Sequence, residues 1–548
     1  MRDGATSSGD DIGDDVDRPS REVRGARWTV PLLLGFAVFG IAARLRALRA
    51  DRSLWLDEAM LACNICGRTF SGLIEPLDDQ QGAPVGFLFL ARSAVLAFGP
   101  SEFALRLVPF LAGLVSLVLV AVFCRKNLGS PAMTIGLALA AVMPAMIYYS
   151  AEGKQYALDI AVGLLMPTLA ADALRRGLSP ARAFVLAVVG MVVVWVSHPS
   201  VFILAGAGTT LIVHEALRRR AGSTAIALGV SFLWAASFVA SYVLSLKDLQ
   251  GSSYLNTFWG EGFLSFPPRS ASDVRQAVAI FLGMFEAMYQ NYQTASGIEG
   301  RMGVAAAIAW LAGAIVLYRR GERGLLALLT LPLGFAVVAS ILHKYPLRVR
   351  MTLFAAGPNL LLMTAGVSAA LRSRDRTARA LGAATLAGLA LLPSLQAGSS
   401  LLERPRPYGA RPVLVELASR WQPGDVVVVD RASEPPFRFY QTYARLEGLA
   451  PLTPTLVDSE LRDPKSLAAE VRRLKGHPRV WIVFTAHMGD PGGHEDMLLT
   501  LTLDQLGSRR ETIKAPGYYA HLYDFREPPV SAEDGHRIPG AATPPPSE

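Results

Sequence analysis

Charge is what this chain has least of. Only 18% of its 548 residues are Asp, Glu, Lys or Arg, against about 25% in ordinary soluble domains. A chain of this length with so few charges does not read as a conventional water-soluble enzyme. Cysteine is scarcer still, and Cys63, Cys66 and Cys124 are too few for a disulfide framework. The pair in "CNIC" has no second Cys or His pair at zinc-site spacing, so it reads as two neighbours one helical turn apart. The C-terminal region lacks a GxGxxG fingerprint, a P-loop and a CxxC pair, which leaves nucleotide binding without support.

What the chain has instead is apolar length. Hydrophobic residues make up 51% of it and the mean hydropathy is +0.33. Its charges gather in short runs such as Arg218, Arg219 and Arg220, separated by apolar stretches of about 17 to 22 residues, the length a bilayer core requires. The expectation is a polytopic all-α membrane bundle. The net charge of +8 does not point to nucleic acid, because the Arg clusters sit beside the apolar spans, where such residues set orientation.

Eleven spans are expected, at 28–43, 103–124, 132–149, 156–174, 183–197, 200–217, 223–246, 302–318, 324–342, 347–369 and 380–395. Residues 1–27 are polar and rich in Gly, Asp and Arg, the composition of a disordered cytoplasmic tail rather than a signal peptide. Two more apolar stretches, 83–98 and 274–292, are short or carry a mid-segment charge, Arg92 or Glu286. Sixteen residues reach only about 24 Å, short of a core of about 30 Å. Both therefore read as surface helices. That choice puts Arg125 and Lys126, then Arg175, Arg176 and Arg182, then Arg218 to Arg220, then Arg319, Arg320 and Arg323, then Arg372, Arg374, Arg376 and Arg379 on inner turns, and leaves the short outer turns with only Lys154, Lys344, Arg348 and Arg350. The asymmetry is what a cytoplasmic N-terminus predicts. One cluster opposes it: Arg44, Arg46, Arg49 and Arg52 follow the first span on the outside.

The expected organisation is a membrane domain at 28–398 with outward loops at 44–102 and 247–301. A small extracytoplasmic α/β domain follows at 399–527, then a disordered tail at 528–548. Strands are expected at 425–430, 479–487, 509–515 and 519–525, with helices near 413–420 and 464–474. The loop "AHMGDPGGHED", with His487, Asp490, His494, Glu495 and Asp496, reads as a polar turn after a strand more readily than as a metal site. Tyr254, Phe258, Trp259 and Phe263 in the second outward loop suit membrane-interface anchoring or sugar stacking.

Polar residues that packing does not explain converge on the outer face. Asp57 and Glu58 in "SLWLDEAM" open the first loop; Glu152 and Lys154 follow the third expected span; Arg106 lies one turn inside the second; Tyr345, Arg348 and Arg350 lie at the outer end of the tenth. Helix capping alone would also place acids at a first turn, and snorkelling alone would place arginines at a span end. Gathered round one outward cavity, the acids could serve as general base or hard metal ligands, and the cations would suit a phosphate at the lipid surface.

The order "LWLDEA", "PLDDQQGAPVGFLFL", "FGPSEFALRLVPFLAG", "YYSAEGKQYALD", "HKYPLRVRMTLFAAGP" resembles the protein O-mannosyltransferase and lipid A aminoarabinose transferase group of GT-C glycosyltransferases, over roughly 28–395. The resemblance implies a polyprenyl-phosphate sugar donor and transfer on the extracytoplasmic face of a bacterial inner membrane to a lipid, glycan or protein acceptor. It implies that Asp57 is the base on the acceptor, with Glu58 as its partner, and that Arg106 holds the acidic motif or the donor. Tyr345, Arg348 and Arg350 fall where the family contacts the carrier phosphate, and "LRVR" leaves open which arginine is the counterpart. Lys154 joins the phosphate-binding set, with Glu152 as a further acid. No cofactor motif is present, although Asp57, Glu58 and Glu152 are a hard-oxygen set compatible with a divalent metal. Two other readings stand beside this one. A transporter or flippase of a lipid-linked sugar predicts charges at mid-bilayer and internal repeats. A non-catalytic scaffold predicts that Asp57 can be neutralised without effect.

Overall fold

Backbone that crosses a bilayer must satisfy its own hydrogen bonds, so apolar length becomes helix. The computed structural model describes residues 21–50, 52–247, 257–290, 299–402, 409–457, 472–485 and 494–526. Among the described residues nine helices are long and apolar enough to span: Val30–Leu48, Glu102–Asn127, Tyr156–Arg176, Ser200–Leu217, Ala221–Leu246, Gly300–Arg319, Arg323–Ile341, Val349–Leu371 and Arg376–Leu402. A tenth span arises if Ser130–Val142 and Pro144–Ala151, bent by 63°, are counted as one. The bend has a local cause. Pro144 has no N–H to give and disfavours helical backbone at Met143, which sits at φ −60°, ψ 117°.

Two expectations therefore change. The stretch expected at 183–197 is the 14-residue helix Pro180–Val193, about 21 Å long, so among the described residues nine or ten helices reach spanning length where eleven were expected. The first helix begins at Arg21, inside the stretch expected to be a tail. Both expected surface stretches are helical and fall outside the spanning set, as Val85–Phe98 and Ala271–Tyr289.

Close approaches lock the bundle. Gly313 packs directly on the helix Ala356–Leu371, where an added Cβ would lie 1.9 Å from the Leu362 carbonyl oxygen. Gly366 meets the other side of the same seam, 2.4 Å from the Ala309 oxygen on the same test. Small residues let helices associate in lipid, where apolar burial gives no net drive. Val38, Val118, Phe184, Phe232 and Leu391 point outward from the bundle.

The helix Leu56–Gly67 and the helix Val85–Phe98 lie between this bundle and the soluble domain. Arg92, the charge that argued against a span, donates to the carbonyls of Ile65 and Cys66 at 3.0 and 2.8 Å. It thereby satisfies acceptors that the C-terminus of the first helix leaves open. The faces of both helices join Val413, Phe437, Tyr440 and Trp481 in one apolar core, so the soluble domain is packed on them. Tyr440 ties the junction: its hydroxyl accepts from the Leu54 amide at 2.9 Å and donates to Glu102 at 2.9 Å.

The opposing Arg44–Arg52 cluster is partly consumed inside the protein. Arg44 is buried and donates to the carbonyls of Gly40 and Ala140, both at 3.0 Å. Arg52 donates to the Ala151 carbonyl at 2.8 Å and lies over the Tyr148 ring.

The soluble domain holds a five-stranded sheet in the order β2-β1-β3-β5-β4, with β1 at Val426–Asp430, β2 at Pro454–Val457, β3 at Val480–Thr485, β4 at Ser508–Ala515 and β5 at Tyr518–Asp524. The first three strands are parallel and β5 runs antiparallel to both neighbours. Four strands match the expected stretches, and β2 was not expected. The helix Ala410–Arg420 matches the stretch near 413–420. Most of 464–474, with Tyr254, His487 and Asp490, lies outside the described residues, as do the side chains of His494, Glu495 and Asp496.

Candidate active site at the Asp57 turn

Adjacent residues on a helix point about 100° apart, and this separates the two acids. Trp55 is the N-cap of Leu56–Gly67, so Asp57 and Glu58 both lie in its first turn, where the helix dipole favours negative charge. Asp57 turns into a cavity of about 1070 Å³. Glu58 turns into the protein and is 1% exposed.

Glu58 is fully engaged there. It accepts from Arg106 Nε and Nη2 at 3.0 and 2.8 Å, and from the Gly153 amide at 2.6 Å. Its Oε2 also faces the Trp55 amide at 3.4 Å, closing a capping box. Burial alone would raise this carboxyl; the Arg106 and Arg52 charges and these hydrogen bonds outweigh it and hold it below the usual range. Arg106 is equally buried, and its remaining contacts are the carbonyls of Arg52 and Ser53 at 2.9 and 3.2 Å. Of the two implied roles for Arg106, this geometry serves holding the acidic turn. Arg106 does not line the cavity.

Asp57 meets Arg350, with Oδ2 2.6 Å from Nη1. Burial would raise its carboxyl, but Lys154, Arg350 and a hydrogen bond from Gln81 bring it below the ordinary value. Three rings surround the Arg350 guanidinium, with centroids at 5.4 Å for Trp55, 5.9 Å for Tyr156 and 5.6 Å for Trp259. A cation among three rings gains from their π faces, and the flat guanidinium meets them differently from an ammonium. Lys154 is buried and donates to Gln81 Oε1 at 2.6 Å. Burial lowers its ammonium, against the pull of Asp57. Tyr345 also lines the cavity, its hydroxyl donating to the Met351 carbonyl at 2.8 Å.

Two expected residues lie elsewhere. Arg348 is 46% exposed, pairs with Glu261 at 2.7 Å and is not on the cavity wall. Of the two arginines in "LRVR", Arg350 is thus the one beside Asp57. Glu152 is buried behind the wall, and neither carboxylate oxygen has a hydrogen-bond partner. Burial first, and the Glu58 charge second, push it up to about 7, against Arg52, Arg350 and Lys154. Among the described residues no three His, Cys, Asp or Glu side chains are placed to hold a metal; Glu58, one of the three acids considered, is committed to Arg106.

Trp55, Gln81, Tyr156, Asp159 and His198 also line the cavity and were not singled out from the sequence. A signal for two of them existed: Asp159 is an acid one turn inside a span, and His198 is the polar centre of "SHPS" between spans.

One wall of the cavity is apolar, with Val201, Phe202, Phe238 and Leu246, and its roof comes from the soluble domain. Ala432, just after β1, and Thr485, at the end of β3, face the space above Asp57. In the order β2-β1-β3 the chain reverses direction of winding between β1 and β3, where open parallel sheets form a crevice at their carboxyl ends.

No protein-family profile and no curated protein matches the sequence. Solved structures do. ArnT from Cupriavidus metallidurans bound to undecaprenyl phosphate is similar over 93% of this chain and 99% of that one, at 13% identity and a TM-score of 0.51. An oligosaccharyltransferase from Archaeoglobus fulgidus, in complex with zinc and sulfate, is similar over 89% of this chain and 72% of that one, at 13% identity and a TM-score of 0.47. The likeness to ArnT, over 93% of this chain, shows a shared fold, in line with the resemblance drawn from the motif order.

Proposed function

We propose that the chain is an integral-membrane glycosyltransferase. It moves a sugar from a polyprenyl-phosphate donor to an acceptor hydroxyl on the extracytoplasmic face of a bacterial inner membrane. The observation that carries this reading is the Asp57–Arg350 contact at 2.6 Å, with Lys154 beside it, in a cavity whose other wall is apolar. A base, a cationic seat and an apolar groove are what a lipid-phosphate donor and an incoming nucleophile require together. The same fold in a protein bound to undecaprenyl phosphate supports it.

Asp57 removes the acceptor hydroxyl proton as that oxygen bonds to the anomeric carbon. The carbon's bond to the phosphate oxygen breaks, and its electron pair leaves with the polyprenyl phosphate. Single displacement inverts the anomeric centre. Arg350 and Lys154 receive the charge that develops on the leaving phosphate, in a site largely screened from water. A carboxyl held below its usual value is ionised at neutral pH but is a weak base. Most of the acceleration therefore falls to the cations. Arg350 exchanges its Asp57 contact for the phosphate when donor enters, which frees the base only in the loaded site. Glu58 and Arg106 hold the turn, and Tyr345 shapes the wall.

The test is mass spectrometry of lipid-linked sugars and surface glycans in three strains: one lacking the gene, one restored with wild type, and one restored with Asp57→Asn at matched expression. The expected result is accumulation of one polyprenyl-phosphate sugar, and loss of one glycan, in the first and third strains. Full restoration by Asp57→Asn overturns the proposal in favour of a transporter or scaffold.

A further inference from the structure

Transfer at Asp57 and Arg350 leaves the membrane-side floor of the cavity without a role. Asp159 lies there, three residues beyond Tyr156 on the helix Tyr156–Arg176, about 4.5 Å further into the span. It lines the cavity and is 4% exposed, and its Oδ1 has no hydrogen-bond partner. Ser197 lies beside it, its hydroxyl turned toward the carboxyl group. The next residue, His198, is half-buried on the cavity wall, with Nε2 3.4 Å from Ser245 Oγ. One turn on, Phe202 packs edge-on against Tyr345 with centroids 4.9 Å apart, and both rings line the cavity.

An acid held at membrane depth with an open lone pair is expensive unless something donates to it. The parts of a lipid-phosphate donor differ in what they offer. A prenyl chain has no donor, and the apolar wall receives it. A phosphate is already matched by the two cations, Arg350 and Lys154, beside Asp57. A sugar ring attached to that phosphate has neutral hydroxyls that donate and a C–H face that packs on aromatic rings. One helical turn separates the Tyr156 level from Asp159, a separation that a single ring attached to the phosphate covers.

We propose that Asp159 and His198 are the sugar-recognition subsite, hydrogen-bonding ring hydroxyls of the one sugar residue next to the carrier phosphate, while Phe202 and Tyr345 pack on its C–H face. This rests on the glycosyltransferase reading of the same cavity. Asp159 and His198 then determine which donor is accepted, whereas Arg350 and Lys154 bind every polyprenyl phosphate alike.

The test uses the full chain in lipid nanodiscs and measures binding of bare undecaprenyl phosphate and of undecaprenyl-phosphate glucose, mannose, galactose and arabinose. Wild type is expected to bind one glycosylated carrier about tenfold more tightly than the bare carrier. In Asp159→Leu and in His198→Gln this preference falls to about twofold or less, with bare-carrier affinity within about twofold of wild type. Asp159→Asn, which keeps size and hydrogen bonding, retains part of the preference and serves as the folding control. The subsite is overturned if both variants keep the full preference, if wild type shows none, or if bare-carrier binding falls as much as glycosylated. Failure of wild type to bind even the bare carrier is a different result, and it overturns the glycosyltransferase reading itself.

Discussion

Replacing Arg106 by methionine keeps an unbranched apolar stem and removes the guanidinium, with its charge and its donors. Glu58 then loses its two shortest side-chain contacts, at 2.8 and 3.0 Å, and keeps the Gly153 and Trp55 amides, with Arg52 4.0 Å away. Both partners are at most 1% exposed, so no water replaces what is lost, and stranding one half of a buried pair costs about 3–5 kcal/mol. Glu58→Gln strands Arg106 in the same way, though the two backbone carbonyls it already reaches soften the loss. The double variant Glu58→Gln with Arg106→Met leaves no buried charge at the pair, so it should recover at least about 2 kcal/mol relative to the sum of the single losses. The assay is unfolding of the purified protein in mild detergent, followed by tryptophan fluorescence, for wild type, both single variants and the double. The pH dependence supplies a second check. In wild type the Glu58 carboxyl is held below its ordinary value, so its contribution is present above the unfolded value and is lost as pH falls through the folded one. Without Arg106 the carboxyl rises and takes up a proton, so the deficit of Arg106→Met should be largest at pH 8 and shrink toward pH 5. Additive single losses, or a deficit that does not change with pH, would refute the assignment of this pair as the clamp on the acidic turn.

Other outcomes follow from neighbouring features. Arg350→Lys keeps the charge but loses the plane that lies among Trp55, Tyr156 and Trp259; binding of undecaprenyl phosphate should weaken at least about tenfold, while Arg348→Lys, off the cavity wall, should change it by less than about twofold. Glu152 is protonated in the fold up to about pH 7 and ionises near 4.5 when unfolded, so stability should fall as pH rises between those values. Glu152→Gln removes that slope: its melting temperature should exceed that of wild type at pH 8 and match it at pH 5, and parallel profiles would sink the idea. Gly313→Ala places a methyl group against the Leu362 carbonyl and should destabilise by more than about 2 kcal/mol. Gly300→Ala, which meets nothing within 4 Å, is the matched control and should be neutral or slightly stabilising.

Much of this fold is legible because bilayer thickness and helix rise impose a length that composition reveals. The legible part ends where local backbone geometry takes over. Nothing in the order of Asp57 and Glu58 says which one faces the cavity; only the phase of the helix that starts at Leu56 does so. Arg348 and Arg350 are two residues apart at the start of the 3-10 turn Val349–Ala355, and that turn sends one to Glu261 and the other to Asp57. The strand β2 is four residues long and begins with Pro454, too short for an alternating pattern to show. Asp159 ends the motif "YYSAEGKQYALD", whereas His198 lies far from it in sequence, and only packing puts them on one wall. The count of spans departs from eleven where proline bends a helix at Met143 and where Pro180–Val193 stops short.

The roof over Asp57 is a separate layer of the molecule. Ala432 and Thr485 sit at strand ends, in a sheet held together by its own ladder and attached through a core that it shares with the two short helices. Glycine seams such as Gly313 against Leu362 lie in the bundle and touch none of this. Substitutions at the ends of β1 and β3 thus alter the shape above the cavity while leaving the helix packing and the Glu58–Arg106 clamp in place. The cavity thus has one stretch of wall, at the ends of β1 and β3, whose side chains set its shape without taking part in any helix–helix seam of the bundle.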